Sequence, residues 1–344
     1  MKTFPVLNML PDGAFLCVLQ NMEIYDKLAY SLCSNKSKQT IKSLNLKAFD
    51  ITCSIARSIE LSIIFKNSGS FCCFIDCDAN FPNNKIMAHE KIEVSVKKHA
   101  EARIKSEWAF QNFEFKEWLH HFCEILHHPR IDELAFKNVG VNHAIIIPLQ
   151  KAIGGLQIGC LSVCNESTEF TNKALESFPN YEELYIELSP FESHRGYPTE
   201  KFMIQNLKSL CIEQTEEINI DRVMLSNSEK IELKFSIFTE KELNKLLKLW
   251  IRGSNPRMKY FYTTGEPEDG SRSFDENVIL KRIKYQQVSL NSEEVYRELL
   301  FKDAHIETSL AGGSRLWRND GTMAVILVTD DEFKFIADEL IQEM

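Results

Sequence analysis

Glycine and proline are scarce, 13 and 10 of 344 residues, which excludes a collagen-like or low-complexity disordered chain. Cysteine is too thin for a disulfide scaffold, with 10 residues and no Cys-x-x-Cys pair. The nearest spacings are Cys73 to Cys77 and Cys160 to Cys164, and adjacent Cys72 and Cys73 fall on opposite faces of a strand. Most of the cysteines are expected to be small buried hydrophobes in a reducing compartment. No apolar run reaches the length of a membrane-spanning helix. Pro5, Asn8, Pro11 and Asp12 interrupt the N-terminus, so no signal peptide is read there, and the sequons at Asn35 and Asn165 are formal only. Basic charge is short as well: 40 Lys and Arg stand against 49 Asp and Glu, a net charge of −9, which offers no field to recruit nucleic acid or anionic lipid. The expected location is intracellular, cytoplasmic or nuclear, with neither nucleic acid nor membrane as a partner.

Signatures of catalysis are missing too. Gly154-Gly155 and Gly312-Gly313 fit no phosphate loop, and there is no Gly-x-Ser-x-Gly, His-Glu-x-x-His or kinase motif. No catalytic group, cofactor or metal is therefore expected. His120, His121, Cys123, His127 and His128 have spacings that could place ligands on one helical face, but Phe122, Ile125 and Leu126 claim the buried face. That favours a partly solvated histidine-rich helix over zinc. Lys97, Lys98, Arg103 and Lys105 read as a solvated basic face.

What is present is a large supply of core, 44% hydrophobic residues with 26% charged, enough for about two domains. Phe15, Leu19 and Met22 share a helical face with Ala14 and Val18 beside it, followed by stripes of Tyr25, Leu28 and Leu32, and of Ile41 and Leu44. Ile59, Leu61, Ile63 and Phe65 alternate, a polar turn follows, and FCCFIDCD completes a hairpin over 57–78. Residues 80–113 fit neither period, and 114–128 return to helix.

From 131 onward short strands alternate with helical stretches. Their leading apolar residues, Leu134, Leu161, Leu184, Leu210, Ile231 and Met258, are spaced by about 21–27 residues, the period of a leucine-rich-repeat-like solenoid. Such a stack puts parallel strands on one side and helices on the other. Thr239 and Glu242 make a capping box, Leu243, Leu246, Leu247 and Trp250 an apolar face, and Gly253 with Pro256 a helix stop. A polar loop over 263–275, a hairpin over 314–328 around Asn319-Asp320-Gly321 and an acidic helix over 330–343 are expected to follow.

Two segments resemble a known family. Leu10-Pro11, then an apolar helix in LPDGAFLCVLQNM, then LAYSLCSNKSK with Leu32-Cys33-Ser34, resembles an F-box, with departures at Gly13 and Ala14. LNKLLKLWIRGSNPRMKYFY, containing Trp250 to Arg257, resembles the type-2 F-box-associated domain of a large nematode-expanded F-box family, and RNDGTMAVI is similar to that family's end. Within Trp250–Arg257 a helix stop is weighed above a substrate contact. The resemblance implies an α/β chain with an F-box at 1–48, a linking hairpin and helix region at 49–130, a repeat-like domain at 131–290 and a closing hairpin and helix at 291–344.

It further implies the substrate receptor of an SCF-type cullin-RING ubiquitin ligase. Leu10, Pro11, Phe15, Val18, Leu19, Leu28 and Leu32 would serve a Skp-type adaptor. The alternating strand positions Glu133, Ser162, Tyr185, Cys211 and Glu232 would form the face for an unknown target protein. Two other classes stay open: a repeat scaffold with no ligase link, and an enzyme whose site the sequence does not reveal.

Overall fold

The computed structural model describes residues 9–56, 58–66, 69–76, 91–98, 101–109, 113–137, 145–164, 167–188, 199–215, 218–265, 274–290, 294–300 and 304–343. Cys77, the sequon at Asn165 and most of the expected 263–275 loop lie outside the described residues. The chain divides into two compact units, Met1–Cys164 with Ser177–Tyr181, and Asn165–Glu176 with Glu182–Met344.

The first unit opens with three helices, α1 (Asp12–Asn21), α2 (Ile24–Ser31) and α3 (Asn35–Ser43). The strands β1 (Asp50–Ile55), β2 (Ser58–Phe65), β3 (Gly69–Asp76), β4 (Lys91–Lys98) and β5 (Glu101–Ala109) then form an antiparallel meander. Helix α4 (Phe115–Ile125) leads to β6 (Arg130–Lys137), α5 (Ile146–Ile153) and β7 (Gln157–Cys164). The sheet order is β7-β6-β1-β2-β3-β4-β5, with β7, β6 and β1 parallel. The hairpin read over 57–78 is β2–β3: Ile59, Leu61, Ile63 and Phe65 are buried and pair in register with Ile75, Cys73, Phe71 and Gly69. Residues 80–113, which fit neither period in the sequence, contain the second hairpin β4–β5, with its register broken between Val96 and Lys98.

Helix α4 forms because Glu114 and Glu117 make a capping box and its apolar residues fall on one face. Trp118 stacks at 6.1 Å on Phe122, which meets Phe71 of β3 edge-on at 5.3 Å. Burying each such ring stabilises the unit by about 2–3 kcal/mol.

In the second unit α6 (Thr168–Ser177) precedes β8 (Tyr181–Leu188), and then α7 (Thr199–Met203), β9 (Ser209–Gln214), α8 (Ile220–Val223), β10 (Lys230–Leu233), α9 (Glu240–Ile251) and β11 (Tyr260–Thr264) alternate. The chain continues through α10 (Glu276–Ile279), β12 (Gln286–Gln287), β13 (Glu294–Leu300), β14 (Ala304–Ser309), β15 (Ser314–Trp317), β16 (Met323–Val328), β17 (Glu332–Ala337) and β18 (Ile341–Glu343). One sheet runs β12-β15-β16-β17-β11-β10-β9-β8 and a smaller one β14-β13-β18. Strands β8 to β11 are parallel, whereas β17, β16, β15 and β12 add antiparallel pairings.

The leading residues of the repeat pattern fall in register. Leu134 pairs with Leu161 in the first unit, and Leu184, Leu210 and Ile231 form a row in the second, all buried. Met258 is displaced from that row: it precedes β11, and Phe261 is the partner of Ile231. The expected helix over 330–343 is strand β17 followed by a single 3-10 turn and β18. Its alternation decides this, since Phe333 and Phe335 are buried while Glu332 and Lys334 face outward, and β11 and β16 pair with it on either side. The hairpin over 314–328 forms as β15–β16, with Gly321 at φ 92° in its turn.

Candidate functional site

Helix α1 begins after Pro11, whose fixed φ of −58° suits a helix start, and whose carbonyl accepts the first helical bond from Phe15 N–H at 2.9 Å. Its residues are apolar around much of the circumference, but few of them turn inward. Leu19 is fully buried, and Phe15, half-buried, meets Tyr30 edge-on at 6.2 Å. Pro11 and Val18 are exposed and Leu10 is half-buried. Two further exposed apolar residues were not singled out in the sequence, Met9 at 84% and Leu16 at 43%. Leu16 was legible there: Ala14, Phe15, Leu16, Val18 and Leu19 give this short helix more apolar surface than one buried stripe uses.

Leu28, Leu32 and Leu19 turn out differently from the adaptor-facing expectation. Leu19 and Leu28 have no accessible surface and Leu32 is buried beside them, so all three hold the helices together.

The histidine-rich helix α4 is what these helices pack on. His121 is buried, and its Nε2 lies 2.8 Å from Ser31 Oγ. The Ser31 hydroxyl donates to the Leu28 carbonyl at 2.6 Å, so its remaining capacity is to accept, and His121 Nε2–H is the donor. Burial, reinforced by Lys38, lowers the His121 pKa to about 4 and keeps the ring neutral. Glu124 takes Lys38 at 2.6 Å and Lys42 at 3.1 Å, and these ammonium bonds hold its carboxyl below the usual carboxylate range. His127 Nε2 reaches the Lys42 carbonyl at 2.9 Å, and Trp108 Nε1–H of β5 donates to Tyr25 Oη at 2.9 Å. His120 meets the Ala152 carbonyl at 3.1 Å and His128 meets Asp132 at 2.6 Å. These histidines act as ties between elements, and no group of potential metal ligands occurs among the described residues.

The target-face residues fall into two groups. In the first unit Glu133 lies opposite Thr52 and Cys160, while Ser162 lies opposite Ala135, two residues along. In the second unit Tyr185, Cys211 and Glu232 form a single cross-strand row that continues to Tyr262 and Lys334. Glu133, Tyr185 and Glu232 are half-buried, but Ser162 at 6% and Cys211 at 7% are not exposed as expected. Short side chains flanked by longer ones on neighbouring strands have little surface to show. Cys211 Sγ lies 3.9 Å from Glu232 Oε2, and burial, then the nearby carboxylate, pushes its thiol pKa up. Tyr262 and Lys334, not singled out in the sequence, extend the row, and Glu332 lies two residues from Lys334 on the same strand. Tyr262 O–H donates to Glu332 Oε1 at 2.7 Å, and Lys334 Nζ sits 2.9 Å from Glu332 Oε2 and 5.3 Å from the Tyr262 ring centroid.

The Trp250–Arg257 segment is a structural stitch. Trp250 is buried edge-on to Phe335 at 4.8 Å, and Gly253, at φ 104°, ends α9. Asn255, at φ 48°, donates through Nδ2 to the carbonyls of Ser226 at 2.8 Å, Met224 at 3.4 Å and Val223 at 3.5 Å, closing the end of α8. Arg257 pairs with Glu229 at 2.9 Å. The closing hairpin grips the same place: Asn319 N–H donates to the Ile251 carbonyl at 2.9 Å, and Arg318 lies over the Trp250 ring at 5.6 Å.

Comparison with known proteins agrees with both resemblances. The F-box domain family matches residues 7–49, and the F-box associated family matches residues 198–263. The chain is similar to an F-box associated domain-containing protein of Caenorhabditis elegans, sdz-33, with 20% identity over 259 residues, 75% of this chain and 78% of that protein. No solved structure matches. The chain thus matches an F-box and an F-box-associated family in the order the sequence suggested.

Proposed function

We propose that this protein is the substrate-recognition subunit of an SCF-type cullin-RING ubiquitin ligase. The observation that carries the reading is the surface of α1. Met9 and Pro11, just ahead of α1, and Leu16 and Val18 on it leave apolar side chains exposed to solvent, while Leu19 of the same helix is buried. Four exposed apolar side chains within ten residues are more than so short a segment needs for its own packing, which a partner would explain. A Skp-type adaptor would cover these side chains, and the second unit, with its parallel strands β8 to β11, would hold the target protein on the strand positions around Tyr185, Cys211 and Glu232. The protein would make no bonds itself; it would hold target lysines near a ubiquitin-charged enzyme and so raise their effective concentration. It would work inside the cell, in cytoplasm or nucleus.

The test is co-purification of the full chain with a recombinant Skp-type adaptor. Stoichiometric recovery, lost on Leu16→Asp with Val18→Asp, is the expected result. Failure of the unaltered chain to bind any such adaptor would leave the scaffold without a ligase link as the better reading.

A further inference from the structure

Asp320–Gly321 closes the β15–β16 hairpin, and we infer that it is a site of spontaneous backbone isomerisation that Arg318 holds shut. The chain has two other Asp-Gly steps, Asp12–Gly13 and Asp269–Gly270, the second of them outside the described residues. At such a step the glycine amide nitrogen can attack Cγ of the protonated aspartate. A carbon–nitrogen bond forms, the nitrogen gives up its proton, the carboxyl OH departs with it as water, and a five-membered succinimide results. Water then opens either carbonyl of that ring. One opening gives back aspartate, and the other leaves isoaspartate, whose main chain carries one extra methylene.

Nothing steric shields Asp320. Half of its side chain is exposed, and a Cβ built on Gly321 would meet no atom within 4 Å. Bonds do the shielding, and Arg318 supplies most of them. Its Nε–H donates to Asp320 Oδ2 at 2.8 Å and its Nη2 bonds the same oxygen, while Thr322 N–H donates to Oδ1 at 3.0 Å. The attacking nitrogen is engaged as well, since Gly321 N–H donates to the Arg318 carbonyl at 2.9 Å. The guanidinium first, and then Thr322 N–H, hold the Asp320 carboxyl below the usual carboxylate range, so the protonated form that loses its OH is scarce. Arg318 is itself fixed over the Trp250 ring at 5.6 Å, and its N–H donates to the Thr322 carbonyl at 2.8 Å. An added methylene in the turn would shift Asn319 off the Ile251 carbonyl, so isomerisation would release the hairpin from the end of α9. Asp12–Gly13 is restrained by other means: it opens α1, where helical ψ turns the next nitrogen away from the side-chain carbon.

The test incubates the full chain at about pH 5, above the ordinary aspartate pKa, with and without guanidinium chloride, and reads isoaspartate in its peptides by electron-transfer mass spectrometry. In denaturant Asp12 and Asp320 are expected to isomerise alike. In the folded chain Asp320 is expected to lag its denatured rate by about tenfold, since one pKa unit changes the protonated fraction by that factor. Arg318→Gln is expected to restore most of the rate at Asp320 while Asp12 stays slow. Arg318→Lys keeps a cation for Trp250 but loses the fork, and is expected to fall between. Faster reaction at Asp12 as well would show that the glutamine variant has unfolded, and Arg318→Lys then decides. Equal folded and denatured rates at Asp320, or a rate in Arg318→Lys no faster than in the unaltered chain, would overturn the inference.

Discussion

Ser31 of α2 and His121 of α4, ninety residues apart in sequence, share a buried hydrogen bond of 2.8 Å. With the Glu124 and His127 contacts to α3 and the Trp108 contact to Tyr25, this bond makes the helices that carry the F-box match one packed body with the sheet behind them. An adaptor bound to α1 would be held by that body rather than by a separate module on a tether.

The tie makes stability depend on pH. His121 has a folded pKa near 4 against 6.5 for an ordinary histidine, so the unfolded chain binds the proton more readily. Its favourable contribution is full above about pH 6.5 and is lost as pH falls from there towards 4, by at most about 3 kcal/mol. Melting temperature is expected to drop between pH 7 and 4.5, and His121→Gln, which keeps a donor for Ser31 but does not titrate, should flatten part of that drop. Identical pH profiles for the two chains would count against the tie.

Asn255 offers a second probe. Asn255→Ala removes a donor shared by three carbonyls, two of them buried, and forces alanine to positive φ, and should cost about 2–4 kcal/mol in a urea titration. Asn255→Gly relaxes the backbone but leaves the carbonyls bare, so it should recover only part. Full recovery with glycine would mean that the turn, and not the cap, is what Asn255 supplies.

Thiol chemistry should separate surface from core. Cys17 and Cys33 are exposed, while Cys123 is buried, with its pKa pushed up to about 12 by burial and by Asp132. Under native conditions at mild alkaline pH, iodoacetamide is expected to label Cys17 ahead of Cys33, whose pKa burial also raises, and to spare Cys73, Cys123 and Cys211 until the chain is denatured. Peptide mass spectrometry reads the order. Early labelling of Cys123 would show that α4 opens readily from the sheet.

Local patterns carried most of the fold into the sequence. Alternation revealed β2–β3, the Thr239–Glu242 capping box marked α9, and Leu134, Leu161, Leu184, Leu210 and Ile231 fell into register where the strands are parallel. The failures share a cause. In 330–343 six acidic residues hid the alternation of Phe333 and Phe335, and only the pairing with β11 and β16 decides in favour of strand. The partners of His121 and Asn255 are remote in sequence, so spacing along the chain suggested a partly solvated helix and a helix stop instead of ties. At the proposed adaptor face, the apolar positions were visible as a set, but which of them point inward depends on how α1, α2 and α4 meet.

That division supplies the sharpest test of function. Leu16 and Val18 are exposed, so Leu16→Ala with Val18→Ala should leave melting nearly unchanged, since little internal packing is lost. If an adaptor buries both side chains, the lost apolar area is worth about 2–3 kcal/mol, which weakens binding roughly a hundredfold. Leu10→Ala with Pro11→Ala should behave similarly, with a slightly larger effect on melting because Leu10 is half-buried. Leu28→Ala is the contrast: it opens a cavity in a site with no accessible surface and should cost about 2–5 kcal/mol of stability. Its effect on adaptor binding should then follow the unfolded fraction and recover on cooling towards maximal stability. Surface and core variants that lower melting and binding together, with no separation between them, would mean that α1 is a packing helix, and the adaptor assignment would fall.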